Sequence, residues 1–326
     1  MLTGSTPHAP SIAPAISGRP GLAPVRSEPD TTAQVVAQLR RARAGLEGFH
    51  GSVPRLGPAI RALRRLEGRL TRPLRVAIVG EFNSGKSSLT NLLVGIDSLP
   101  TAIVSNTRIP TLLYHAARPE IFAVAADGVR SAIDVDHSLR ANEAIRLEVG
   151  LPSPRLQLVE FIDLPGLADP RFEDSSVDLA AHGIDAVLWC TVATQAWKES
   201  ERMAWTALAP RLQKRGIMVV THRDLLNAVE DEAKLLTRLR GAAGDDFRDI
   251  VMLSTSAGAE PPQITLPPDA QEAAREAGSL GALERAIDRL LDTVRQQRGS
   301  VAIEVINRIA GHALARMEPA AMQVAR

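Results

Sequence analysis

From Leu74 onward, short apolar runs alternate with amphipathic stretches, the pattern of strands and crossover helices in a largely parallel sheet. Eight runs predict strands: RVAIVG (75–80), TLLYHA (111–116), IFAVAA (121–126), AIRLEV (144–149), LVEFID (158–163), AVLWCT (186–191), GIMVVT (216–221) and DIVMLS (249–254). Helices are expected between them, over 199–214 and 224–240 among others. Upstream, Val35, Val36, Leu39 and Leu46 recur at helical spacing. A break follows at Gly51 to Pro54, and Ile60, Leu63 and Leu66 resume the period. Residues 30–72 therefore predict a helical hairpin or a kinked helix. Downstream, a Pro-rich linker at 258–270 leads into a helical pattern from Leu280 to Met317, expected to break near Gly299. The sheet domain is placed at 73–295 and a C-terminal helix, packing with the N-terminal helices as a short bundle, at 296–326. Residues 1–29 hold six of the 22 prolines among Ala, Ser, Gly and Thr. This composition builds no packed core and predicts a disordered tail.

Charge changes this picture only locally. The 326 residues carry 38 Lys plus Arg against 37 Asp plus Glu, so no nucleic-acid partner is expected. Between Asp30 and Arg75, however, ten arginines face three acids; the two readings are an anionic membrane or partner surface and a solvated helix face. Cys190 is the single cysteine, which excludes a disulfide framework and cysteine-rich metal sites and fits a reducing, cytoplasmic setting. No apolar run is long enough for a transmembrane helix, and no secretory signal pattern is present. Only Lys86, Lys198, Lys214 and Lys234 are lysines; the other 34 basic residues are arginines. Lys86 accordingly invites a specific explanation.

That explanation is local. The strand RVAIVG runs into GEFNSGKSS, a G-x-x-x-x-G-K-S loop formed by Gly80, Glu81, Phe82, Asn83, Ser84, Gly85, Lys86 and Ser87, followed by Ser88 and a predicted helix. Glycines let the backbone point successive N–H groups at phosphate oxygens, Lys86 sets an ammonium between terminal phosphates, and Ser87 offers a hydroxyl to Mg2+. The fold expected is therefore α/β, a P-loop nucleotide-binding domain with a mostly parallel sheet flanked by helices. Asp163 and Gly166, in D-x-x-G at the end of a strand, suit the Mg2+ shell and a γ-phosphate contact. VVTHRD places Thr221, His222 and Asp224 where GTP-binding proteins carry [N/T]-K-x-D. A carboxylate at Asp224 can accept two hydrogen bonds from guanine and none of that pattern from adenine. His222 departs from the motif, where a Lys stem would lie along the base. Ser256 and Ala257 fit the short S-A element that supports the base. Among Thr101, Thr107 and Thr111, Thr107 is the choice for a Mg2+-coupled switch. Trp189, Trp197 and Trp205 read as packing, and Cys190 as a buried small hydrophobe.

VAIVGEFNSGKSSLTNLLVG, LPTAIVSNTRIPT, LPSPRLQLVEFIDLPG and AVLWCTVATQAWKESE together resemble the G-domain of bacterial dynamin-like GTPases. The resemblance implies a Mg2+-dependent GTPase that dimerises across its nucleotide face, often on membranes. Its catalytic set becomes Lys86, Ser87, Thr107 and Asn83, with Ser87, Thr107 and Asp163 around the metal. Phe82 sits where eukaryotic dynamins place a catalytic glutamine, Asn83 where they place a cation-holding serine, and Leu167 where Ras-like enzymes orient water. The expectation is slow GTP hydrolysis, stimulated by a nucleotide-dependent homodimer or a related GTPase, with peripheral contact to the inner face of the membrane. With about 45 residues ahead of the G-domain and about 30 after it, a membrane-remodelling machine with a long stalk is not the expectation. Two other readings stay open: an Era-like regulatory GTPase acting on a ribosome or other macromolecule, and a non-catalytic GTP-binding scaffold.

Overall fold

The computed structural model describes residues 31–49, 56–95, 109–133, 144–165, 182–226, 229–254 and 279–324. The chain divides into two compact units, one containing Arg75–Ala282 and one combining Ala23–Leu74 with Leu283–Arg326.

The first unit is built on a nine-stranded sheet in the order β4-β3-β5-β2-β6-β1-β7-β8-β9. Its strands are β1 (Leu74–Gly80), β2 (Thr111–His115), β3 (Glu120–Ala125), β4 (Arg130–Ala132), β5 (Ala144–Leu151), β6 (Val159–Asp163), β7 (Ala186–Val192), β8 (Gly216–Thr221) and β9 (Asp249–Met252). Strands β1, β7, β8 and β9 pair in parallel, in a register that sets Gly80 beside Cys190 and Val192 beside Thr221. Buried on both faces, β7 and β8 have no reason to alternate, which is why AVLWCTV and GIMVVT read as continuous apolar runs. On the far side β5 pairs parallel with β2, whereas β2–β6, β3–β5 and β3–β4 are antiparallel. The sheet is thus mixed, its antiparallel pairs gathered at the β4 side. All eight expected strands form; β4 is an addition.

Helix α3 (Lys86–Val94) starts directly from the phosphate loop and buries Leu89, Leu93 and Val94. It stops at Gly95, whose left-handed φ of 75° lets its N–H return to the Asn91 carbonyl. Two expected single helices are each divided. Residues 199–214 form α4 (Glu199–Thr206) and α5 (Pro210–Gln213), because the residue before Pro210 is pushed out of the helical region: Ala209 has φ −56°, ψ 135°. Residues 224–240 form a 3-10 turn (Arg223–Leu225) and then α6 (Val229–Ala243), separated at the extended Leu226. Behind β7 and β8, Trp189, Trp205 and Phe247 pack with Trp197 into one aromatic cluster, with Trp205 stacked on Phe247 at 4.1 Å between ring centres. The packing reading of the three tryptophans holds, and Cys190 is fully buried.

In the second unit α1 (Thr31–Phe49), α2 (Gly57–Thr71) and α7 (Ser279–Val324) share a small core of Val35, Val36, Leu39, Leu63, Leu70, Ala302 and Ile306. The expected break near Gly299 is absent: α7 continues through it, since one glycine weakens a helix by only about 1 kcal/mol and the next turns are held by Ala302 and Ile306. The Arg-rich surface of α1 and α2 is partly self-neutralised. Arg40 and Arg43 pair with Glu67, and Arg43 and Arg64 with Glu47. Among the described residues no helix is long and apolar enough to cross a membrane.

Candidate functional site

The site assembles where β1, β6, β7 and β8 end. At the exit of β1 a Cβ on Gly80 would lie 2.3 Å from the Cys190 carbonyl oxygen and 2.6 Å from Ser84 Oγ, so only glycine lets the chain turn against β7. Left-handed φ values at Asn83 (60°) and Gly85 (81°) curl the loop, and the Ser84 N–H donates to the Glu81 carbonyl at 3.2 Å. Gly85 then caps α3, which brings Lys86 and Ser87 into its first turn. Lys86 is 9% exposed, and its ammonium donates to the carbonyls of Gly80 (3.1 Å) and Glu81 (2.7 Å). Neutral carbonyls are weaker acceptors than phosphate oxygens, so an arriving polyphosphate would draw the ammonium to itself. Ser84 is buried and its hydroxyl has no hydrogen-bond partner; Phe82 and Asn83 face solvent, and Ser88 is exposed.

Asp163 ends β6. Its Oδ1 is buried with no hydrogen-bond partner, and burial pushes its carboxyl up to about 6, against the opposing pull of the Lys86 charge. A buried carboxylate oxygen lacking a donor is a group that a hard cation such as Mg2+ would satisfy. Thr107 and Gly166, expected at this metal and at the γ-phosphate, lie outside the described residues.

On the base side, the fully buried Thr221 hydroxyl lies 2.8 Å from the Ser84 carbonyl, 3.2 Å from the Thr191 carbonyl and 2.9 Å from His222 Nδ1. One side chain thus ties the phosphate loop to the ends of β7 and β8. His222 takes a left-handed φ of 56° and opens the turn that carries Asp224. The Asp224 carboxylate accepts from Ser254 Oγ at 2.8 Å. Ser254 was not singled out by sequence, although it opens the STSAG run; Ser256 and Ala257 lie outside the described residues.

A second group also escaped the sequence reading. The Glu81 carboxylate accepts from Lys198 Nζ (2.8 Å) and Ser200 Oγ (2.6 Å). The loop supplying both donors is fixed by the buried Glu201 and Thr191. The scarcity of lysine was the available signal, since Lys198 is one of four.

Residues 76–223 match the dynamin family. Over these residues, from β1 through β8, the chain is similar to the dynamin family's domain. Dynamin-like protein 2 of Campylobacter jejuni is 31% identical over 175 residues, covering 52% of this chain and 29% of that protein. The isoniazid-induced protein IniA of Mycobacterium tuberculosis is 31% identical over 188 residues, with the same 52% and 29% coverage. The chain therefore spans under a third of the length of these curated relatives. Among solved structures, a member of an oligomerised bacterial dynamin pair, described as sensing and tethering membranes at long range, superimposes with a TM-score of 0.50. It is 22% identical, with 74% of this chain and 39% of that one covered. That likeness concerns the fold of the matched segment and its surroundings.

Proposed function

We propose that the chain binds GTP with Mg2+ and hydrolyses it slowly, and that contact with a second copy or a related GTPase speeds the reaction. The observation that carries this reading is the pairing of a phosphate loop, its Lys86 ammonium held on two carbonyls, with the buried Oδ1 of Asp163, which has no hydrogen-bond partner. In this reading Ser87 and Asp163, with Thr107, hold the metal, and the loop N–H groups and Lys86 hold the β- and γ-phosphates. Mg2+, when bound, neutralises phosphate charge. Asp224, oriented by Ser254 and joined by Thr221 and His222, selects guanine. The expectation of slow turnover rests on Phe82, a solvent-exposed side chain with no group to orient water. Asn83 beside it is the remaining polar side chain of the loop's outer turn.

Phosphate release from GTP and ATP, measured with Mg2+ or EDTA across a range of protein concentrations, tests the proposal. Turnover per molecule should be specific to GTP, abolished by EDTA and rising with concentration. Equal use of ATP would overturn the role of Asp224, and fast, concentration-independent turnover would overturn the stimulated mechanism. Adding anionic liposomes to the same assay tests peripheral membrane contact, which the membrane-tethering pair supports only by analogy of fold.

A further inference from the structure

We propose that Lys198 and Ser200 are positioning residues of the phosphate loop, acting through the Glu81 carboxylate. This rests on the reading of that loop as a nucleotide site and adds residues that lie outside the motif. Glu81 is engaged at both ends. Its carbonyl accepts from Lys86 Nζ and from the Ser84 N–H, while its two carboxylate oxygens take different donors, Oε2 from Lys198 and Oε1 from Ser200. A carboxylate held by two donors cannot swing, and the backbone that carries it is fixed with it.

The donors stand on a rigid platform. Glu201 is 2% exposed, and one of its oxygens, Oε2, accepts from the Thr191 hydroxyl (2.9 Å) and the Lys198 N–H (2.9 Å). The Trp197 N–H donates in turn to Thr191 Oγ1 at 3.2 Å. Trp197 sits at φ 63°, a region a bulky side chain occupies only when its surroundings dictate it. Here they do, because its ring packs edge-on against Trp189 and Phe247. The strained residue directly precedes Lys198, and Lys198 and Ser200 both reach Glu81 just after the exit of β1. Burial alone would raise the Glu81 carboxyl, but the hydrogen bonds from Lys198 and Ser200 outweigh it and hold the group below the ordinary glutamate range.

Two consequences follow for a phosphate ligand. When Lys86 leaves the Glu81 carbonyl for phosphate, the carboxylate clamp still holds Glu81, beside the tie from Thr221 to the Ser84 carbonyl. Lys198 also neutralises a carboxylate that would otherwise stand next to an incoming polyanion. An exposed pair of this kind contributes little to global stability, so its loss should appear in binding and in local loop order.

The test uses Lys198→Met, Lys198→Arg, Ser200→Ala, Glu81→Gln and the double variant Glu81→Gln/Lys198→Met in the full chain. With a fluorescent GDP analogue, Lys198→Met should weaken affinity about tenfold, a loss of the size expected when a pre-ordered loop must be ordered on binding. Ser200→Ala should weaken it less, and Lys198→Arg should keep affinity within about threefold of the original. Adding Glu81→Gln to Lys198→Met should cost nothing further, because the pair acts as one unit. Amide exchange at residues 82–86 of the nucleotide-free protein should be faster in Lys198→Met and unchanged in Lys234→Met. Unchanged affinity and unchanged exchange in Lys198→Met, or simple addition of the Glu81 and Lys198 effects, would overturn the clamp. If the unmodified chain binds no guanine nucleotide, the proposed function fails, and the exchange measurement still decides whether Lys198 orders the loop.

Discussion

The two halves of the sheet are held by different forces. Around β7 and β8 nearly every residue is buried, the strands run parallel, and a cluster of three tryptophans and Phe247 backs them. Around β3 and β4 the pairing is antiparallel and the surface is wet. Arg130 lies 4.2 Å from the Phe122 ring centre and pairs with Glu148 at 2.8 Å, while Arg146 pairs with the same carboxylate. Tyr114 donates to Glu120, and burial together with that carboxylate pushes its hydroxyl up to about 12. Among the described residues, the candidate chemistry leaves strands on or next to the buried half: the phosphate loop from β1, Asp163 from β6, Lys198 and Ser200 after β7, Asp224 after β8. A site that must hold several groups in fixed geometry is best set on a foundation that side-chain hydration cannot loosen.

Substitutions in each half put this contrast at risk. Trp205→Ala, which empties the stack beneath β7 and β8, should cost about 3–5 kcal/mol in urea unfolding; a loss near 1 kcal/mol would mean that the aromatic cluster is not the foundation. Lys86→Ala should reduce GTP affinity and turnover at least about 100-fold while leaving the melting temperature nearly unchanged, separating chemistry from foundation. Asp163→Asn should do the reverse for stability. The folded-state value of about 6 lies above the unfolded value near 3.8, so the charged carboxyl penalises the nucleotide-free fold. The penalty is complete above about pH 6 and fades toward pH 4. Melts at pH 8 should therefore show Asp163→Asn more stable by about 2–3 kcal/mol, with the gain shrinking as the pH falls through 6, while Mg2+-dependent nucleotide binding is lost. Arg130→Ala, in the outer half, should cost less than about 1 kcal/mol and leave GTP turnover unchanged. A turnover defect there would erase the distinction between the halves.

Local signals were legible in the sequence, and distant ones were not. Strands buried on both faces announce themselves as apolar runs, so β1, β6, β7 and β8 were readable; β4, with the three exposed residues Arg130, Ser131 and Ala132, carries no such signal. Helix breaks depended on competing terms: Pro210 divided one expected helix, whereas Gly299 did not interrupt α7. Gly80 to Ser87 was visible because its function is written in eight consecutive residues. Lys198 and Ser200 meet Glu81 only because β1 pairs with β7, across 117 and 119 positions of chain, and no spacing rule reaches that far. Ser254, which meets Asp224 across 30 positions of chain, carries no local signal of its own; the chosen Ser256 lies outside the described residues.

The most direct measurement is competition of GTP and ATP for the site occupied by a fluorescent GDP analogue, in the presence of Mg2+. GTP should displace the analogue at least about 100-fold more effectively than ATP, the discrimination expected of a site built to hydrogen-bond the guanine edge. Equal displacement by the two nucleotides, or none by either, would contradict the account.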